Sequence, residues 1–393
     1  MTFGEGNSII FPVFMEQKEY HGIGSIRKFG EVLEVHKPKR VFLVTDKASY
    51  ETCGAKRFLD DLLGSSHVTR WHDFELNPKY EDLERGIALF RESKSDMVVA
   101  VGGGSVIDMA KMVNALAFHD AKPLDYIQRK RAFEQKGKPF VAIPTTAGTG
   151  SEATHFAVVY HGKEKYSLAH QYLLPSYAIV DPQFTFKVPP RITASTGMDA
   201  LSQAIESYWN IYSTDESKRY AREAITLIMG NLRDAVKNSA QNARIAMARA
   251  ANLAGKAINI TKTTAPHAIS YPITSYFGVS HGHAVALTLP SIFVYNSALD
   301  ENDVLDKRGA AYVRNVMAEL AALLGARDAL GAKMALDDLM KQIGLETTLS
   351  RIGVRGEEDV ELIIKNGFNP ERVNNNPRLL TEKGLREILT TIL

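Results

Sequence analysis

Residues 96–118 read DMVVAVGGGSVIDMAKMVNALAF, and the architecture of the chain turns on them. Asp96–Val101 is a short apolar, β-branched run of the kind a strand buried on both faces requires. Gly102, Gly103, Gly104 and Ser105 follow at once, and an amphipathic helical pattern begins at Val106. Strand, bare glycine turn and helix N-terminus together suit a pyrophosphate. Backbone N–H groups approach the anion unhindered, and the helix end adds partial positive charge. The turn is not the spaced G-x-G-x-x-G, and without a closing Lys-Ser/Thr pair it is not a P-loop. Asp108 and Lys111 sit on the first turns of the helix. Asp108 is placed to hydrogen-bond back to the loop, while Lys111 reads equally well as a solvated surface charge.

Working outward, further strands are expected at Arg40–Thr45 (RVFLVT), near 69–74, at Phe140–Pro144 (FVAIP), and at 156–160 and 177–180, the last two flanking His161–Lys165 with its Gly162 turn. Residues 8–30 read as short strands and turns around a Gly22–Gly24 loop, with helices over about 51–64 and 79–94. Asp46 stands at the carboxyl end of RVFLVT, where ligands sit in open α/β sheets. It can accept hydrogen bonds from a ribose or simply cap a helix. Thr145–Glu152, small and polar, closes FVAIP and is expected to face the same crevice as the glycine turn. This is a parallel, Rossmann-like α/β domain over residues 1–190.

The character changes near 188–192. Residues 191–393 are helical in pattern, an all-α second domain. It opens on 193–212, TASTGMDALSQAIESYWNIY, where Asp199 and Gln203 are four apart and share one helix face. Helices near 215–238 and 241–259 lead to 261–290, TKTTAPHAISYPITSYFGVSHGHAVALTLP. A straight helix would hold His267 and His281 roughly 21 Å apart at 1.5 Å per residue. A bend near Pro272–Gly278 would bring both imidazoles to one point and make half a metal site. Helices near 308–325, 328–343 and 380–392 read as scaffold without chemistry.

Composition narrows the function. With 393 residues, 45% apolar and a formal charge of +2, the chain has no basic excess pointing to nucleic acid. One cysteine, Cys53, excludes an internal disulfide and a multi-cysteine zinc site. The start, MTFGEGNSIIFPVF, lacks the charge pattern of a secretory leader, and no apolar run suits a membrane span, so a cytoplasmic enzyme is expected.

Taken together, GGGSVIDMAK (102–111), IPTTAGTGSEAT (143–154), GMDALSQAIESY (197–208) and HAISYPITSYFGVSHGHAVALTLP (267–290) resemble the iron-containing (group III) alcohol dehydrogenase family in order and spacing over nearly the whole chain. The resemblance implies a dehydroquinate synthase-like architecture with a divalent metal, Fe²⁺ or Zn²⁺ (Mn²⁺ or Ni²⁺ as alternatives), in the cleft between the domains. It implies a dinucleotide over Gly102, Gly103, Gly104, Ser105, Thr145, Thr146 and Thr149, with Asp108 beneath, and with Asp46, Asn77 and Lys165 as further contacts. An acid at 46 favours NAD(H) over NADP(H). Asp199, His267 and His281 match the metal ligands, but Gln203 replaces a histidine, and Tyr271 stands where many members carry another. Lys262, Thr263 and Thr264, with Ser151, Thr154 and His155 from the first domain, are placed to hold an anionic group, a variant closest to the phosphonoacetaldehyde reductase branch. The implied reaction is metal-assisted hydride transfer to a small anionic aldehyde, giving a primary alcohol, with His283, Tyr271 or a water relay delivering the proton and His283 preferred. The family also implies a homodimer. Sulfoacetaldehyde reduction, a plain alcohol dehydrogenase, a dehydroquinate synthase-like lyase that regenerates its NAD, and a non-catalytic cofactor-binding protein are the competing readings.

Overall fold

The computed structural model describes residues 17–64 and 66–393. The readings of residues 8–16 and of the first residues as lacking a leader lie outside that range. β1 (Lys18–His21), β2 (Arg40–Thr45), β3 (His67–Trp71), β4 (Met97–Gly102), β5 (Phe140–Pro144) and β8 (Tyr177–Val180) form a wholly parallel sheet in the order β1-β8-β5-β4-β2-β3. Alternation along these strands divides the core into two layers. Phe42, Val44, Val98, Ala100, Phe140 and Ala142 pack on one face with Met109 and Val113 of the Gly104–Leu116 helix. Val41, Leu43, Val99, Val101, Val141 and Ile143 pack on the other with Phe29, Leu59 and Phe184. Helices therefore cover both faces, which is why the central strands are apolar throughout rather than alternating with polar residues.

The chain steps outward from β2 to β3 and then returns to place β4 on the other side of β2. That reversal opens a crevice at the carboxyl ends of β2 and β4, where a doubly wound sheet binds its ligand. From Pro190 onward the described residues are mainly helical and share their own core, built around Leu201, Ile205, Ile228, Leu232, Ile269 and Phe293. No helix among the described residues is long and apolar enough to cross a membrane.

The structure departs from the sequence reading in several places. β3 lies at His67–Trp71, earlier than the expected 69–74, and Phe74 reaches back to Trp71, with ring centroids 4.8 Å apart. The helix expected over 51–64 is broken at Gly54, whose φ of 90° stops one helix before the next begins at Ala55. The run at 156–160 does not face 177–180 across a turn. β6 (Phe156–His161) pairs antiparallel with β7 (Glu164–Ala169), a strand the sequence reading missed, and 177–180 joins the main sheet. EKYSLA has too little apolar character to announce itself. A helix at Glu357–Gly367 and a short one at Pro370–Val373 were also not foreseen.

Candidate active site

Asp199, Gln203 and Glu206 project from the Pro190–Trp209 helix, which begins with proline at its first turn and is buried along almost its whole length. Residues four and seven apart share a face, so all three point toward the histidine segment. That segment bends where the spacing of Pro272 and Gly278 predicted. A helix over Ala265–Phe277 ends at Gly278 in the left-handed conformation (φ 68°), and a second begins at His281 and runs to Ser297. Pro272 lies inside the first helix rather than at the break. The fold-back sets the two imidazole centroids 5.4 Å apart. His267 Nε2 lies 3.4 Å and His281 Nε2 3.8 Å from the same oxygen, Asp199 Oδ1. The ligand atoms of Asp199, His267 and His281 fall within 4.8 Å of one another.

Glu206, which the sequence reading passed over, fixes this arrangement. Its carboxylate is fully buried and accepts from the Thr264 N–H (2.9 Å), the Thr264 hydroxyl (3.0 Å), the His267 N–H (3.3 Å) and His267 Nδ1. With Nδ1 committed to Glu206, Nε2 is turned toward Asp199. Burial opposes charge on His267, but the Glu206 and Asp199 carboxylates outweigh it and raise the ring to about 10, so an arriving metal ion would take the place of the Nε2 proton. Burial, assisted by Lys165, lowers His281 to about 3, so that ring is neutral and free to donate a lone pair. Burial pushes Asp199 up, yet the two imidazoles hold it below the ordinary aspartate value. Asp199 Oδ1, Gln203 Oε1 and His267 Nε2 are all buried without a hydrogen-bond partner. Such atoms are costly unless a cation answers them. One carboxylate, one amide oxygen and two imidazoles form a donor set that fits a divalent metal of the first transition row.

The glycine turn is joined to the aspartate helix through the Thr145–Glu152 loop. Gly103 caps the Gly104–Leu116 helix, and Thr145 N–H donates to the Gly102 carbonyl at 3.0 Å. A Cβ on Gly104 would stand 2.6 Å from Thr149, and one on Gly103 would stand 3.3 Å from the Thr146 hydroxyl. The two loops thus close on each other with no room for a side chain on Gly104, and the half-buried backbone of Gly103 and Gly104 at the helix N-terminus fits a pyrophosphate. The second loop also abuts the aspartate helix, since a Cβ on Gly148 would meet Thr196 at 2.6 Å. Asn77, in the left-handed region at φ 62°, donates its N–H to Ser105 Oγ at 3.1 Å. Asp46 caps the short helix at Ser49–Thr52, accepting from the Ala48 N–H (2.9 Å), the Ser49 N–H (2.5 Å) and the Ser49 hydroxyl.

Beneath the turn, Asp108 accepts from the Ser151 hydroxyl (2.5 Å) and the Val158 N–H (3.0 Å). Lys111 is not the surface charge it resembled. It is fully buried, donates to the Thr154 hydroxyl (3.0 Å) and the Phe156 carbonyl (2.8 Å), and burial lowers it to about 8.

The structure does not bring all the expected substrate residues to the cleft. Ser151 is committed to Asp108, and Thr154 lies between Lys111 and the Ser151 carbonyl. Thr264 is fully buried against Glu206 and Trp209 Nε1. Thr263 is buried, with its carbonyl accepting from Asn375. His155 bonds to Asn259, with Lys262 close enough to act on its charge. His283 is turned away from the cluster. Two residues beyond His281 on one helix, it points to the other side and bonds to the Glu346 carbonyl at 2.8 Å. Lys165 and Tyr271 do reach the site. The Tyr271 ring stacks on His281 at 6.3 Å between centroids, and Lys165 Nζ sits 3.7 Å from the Tyr271 centroid. Arg372 joins them from the Pro370–Val373 helix, a segment to which the sequence reading assigned no element. Burial pushes the Tyr271 hydroxyl up, but Lys165 and Arg372 together hold it below the ordinary phenol value.

A family model described as iron-containing alcohol dehydrogenase matches residues 17–182, and one described as Fe-containing alcohol dehydrogenase family, C-terminal, matches residues 193–393. Long-chain-alcohol dehydrogenase 1 of Geobacillus thermodenitrificans is 36% identical over 328 residues, 82% of this chain and 81% of that protein. Phosphonoacetaldehyde reductase of Streptomyces viridochromogenes is 36% identical over 309 residues, 76% of each. The crystal structure of sulfoacetaldehyde reductase from Bifidobacterium kashiwanohense in complex with NAD⁺ matches with a TM-score of 0.85 at 31% identity, covering 96% of both chains. Two family models that between them account for nearly all the described residues, and relatives above 30% identity over most of their length, show that this chain belongs to the iron-containing alcohol dehydrogenase family.

Proposed function

We propose that the chain reduces a short aldehyde bearing an anionic group to the primary alcohol, phosphonoacetaldehyde to 2-hydroxyethylphosphonate being the favoured case, with NADH as hydride donor. The observation that carries the reading is the set of buried ligand atoms without hydrogen-bond partners on Asp199, Gln203 and His267, two of them gathered with His281 within 4.8 Å. The anionic substrate rests on two similarities, to phosphonoacetaldehyde reductase and to sulfoacetaldehyde reductase, and on the cations lining the cleft.

Asp199, Gln203, His267 and His281 would hold a divalent ion, Fe²⁺ or Zn²⁺ before Mn²⁺ or Ni²⁺, which supplies Lewis-acid polarisation of the aldehyde oxygen when bound. Glu206 keeps His267 in the tautomer that presents Nε2. Gly102–Gly104, Thr146 and Thr149 would receive the pyrophosphate, and Lys165 the nicotinamide end. Asp46, directly after the end of β2, would repel a 2′-phosphate, so NAD(H) is preferred over NADP(H). Burial of Asp199 and His267 keeps water from the reacting centre. With His283 facing Glu346, Tyr271 is the protein group placed to return a proton to the product oxygen.

The test is a panel of phosphonoacetaldehyde, sulfoacetaldehyde, propanal and a long-chain aldehyde, followed by nicotinamide absorbance with NADH and with NADPH. We expect stoichiometric NADH oxidation, the highest kcat/KM on an anionic aldehyde, and loss of activity in chelator with recovery on adding one of the four metals. Equal rates on propanal and the anionic aldehydes would refute the substrate class. Activity that survives exhaustive chelation would refute the role given to the four ligands.

A further inference from the structure

Arg372 carries a buried charge with one donor left open. It belongs to the short Pro370–Val373 helix and is only 7% exposed. Nη2 donates to Ser167 Oγ on β7 at 3.1 Å, and the guanidinium carbon lies 6.0 Å from the Phe156 ring centroid. Nη1 is buried with no acceptor, and no acid among the described residues pairs with the group. A buried guanidinium with an open donor is costly to maintain, and natural proteins keep such groups where an acceptor arrives from outside.

Its position identifies the acceptor. Arg372 donates to Ser167, which shares a face of β7 with Lys165, and Lys165 lies over Tyr271, whose ring stacks on His281, so the guanidinium stands on the outer side of the aromatic next to the metal-ligand cluster. Lys165, over the Tyr271 face, adds a second positive charge to the same space. Lys262, by contrast, closes the Gln241–Thr261 helix, and its charge falls on His155. We infer that Arg372 is the receptor for the anionic head of the substrate. Its free Nη1 donates to an oxygen of a phosphonate, sulfonate or carboxylate, while the aldehyde end of the same short molecule lies toward His281. The inference rests on the anionic-aldehyde reading above and assigns to Arg372 the role expected of Lys262 and its neighbours. A planar guanidinium suits a multi-oxygen anion better than a lysine does.

Wild type, Arg372→Gln and Arg372→Lys are compared on phosphonoacetaldehyde and on propanal, with folding checked by circular dichroism and NADH binding by fluorescence. In Arg372→Gln, kcat/KM for the anionic aldehyde is expected to fall about 100-fold, chiefly through KM, while propanal changes less than about threefold. Arg372→Lys should fall between, because it retains charge but not the fork. Calorimetric titration of the NAD-loaded protein with 2-hydroxyethylphosphonate should show binding by wild type that is lost in Arg372→Gln. A wild type without preference for the anionic aldehyde overturns both the substrate reading and this inference. A wild type with that preference, beside an Arg372→Gln that keeps its affinity or loses both substrates equally, overturns the inference alone. If Arg372→Gln does not fold, Arg372→Lys decides: parity with wild type on both substrates counts against the assignment.

Discussion

Glu206 shows how far a single residue can set a site without touching its ligand. Four donors converge on its two oxygens, and one of them is the imidazole whose other nitrogen must face the metal. In Glu206→Gln one oxygen becomes an NH₂ that confronts donors instead of receiving them, and the His267 ring loses its anchor. Metal affinity is expected to fall about 10- to 100-fold, with kcat largely recovered at saturating metal, as for a positioning residue. Equilibrium dialysis beside activity against buffered metal checks this. Unchanged affinity with a depressed kcat would contradict it. The sequence made Asp199 and Gln203 visible because a four-residue spacing is a local signal. Glu206 is one turn further on the same face, and the same periodicity would have found it. Arg372 had no such signal, because its role depends on Ser167 and Tyr271, both distant in the chain.

At the scale of elements, the site exists because two helices touch at backbone distance. A Cβ on Gly282 would lie 2.0 Å from the Ser195 carbonyl oxygen and 2.8 Å from Asp199 Cβ. The first of these is backbone, so no side-chain rearrangement relieves it. Gly282→Ala is therefore expected to push the His281–Ser297 helix off the aspartate helix and lower stability by about 1–3 kcal/mol. Metal binding should fall far more than stability does, because His281 begins the displaced helix. Urea denaturation and metal titration on the same preparation test the pairing. A variant that binds metal normally would show that the contact does not set the site. The bend was legible in the sequence from proline and glycine, but the close approach was not, since it takes two segments to create it. The same distinction separates the strands. Central strands buried on both faces announce themselves by composition, whereas β7 is part-exposed, pairs with a single neighbour and carries charge, so only its hairpin partner reveals it.

At the scale of the whole molecule, the α/β portion and the helical portion must stay in register for cradle and ligands to face each other. Glu19 on β1 and Lys256 on the Gln241–Thr261 helix form one tie, at 2.5 Å. Burial pushes the Glu19 carboxyl up, but His21 and Lys256 overcome it and hold the group at about 2, against an ordinary 4.5. A carboxyl whose folded value lies below its unfolded one stabilises the fold fully above the unfolded value. That contribution is lost as pH falls toward the folded value, because the unfolded chain then binds the proton first. The tie should therefore contribute about 1–2 kcal/mol at pH 7, allowing for its partial contact with solvent. It should fade between pH 4.5 and about 2. Glu19→Gln removes the titrating group, so the stability gap between wild type and variant should be widest at neutral pH and narrow steadily below pH 4.5. Urea denaturation of both proteins from pH 7 down to the lowest pH at which each folds measures that gap. A gap that stays constant with pH would mean that Glu19 acts through packing alone, and that the register of the two portions rests on other contacts such as Asn252 with Glu152 and Arg244 with the Thr185 carbonyl.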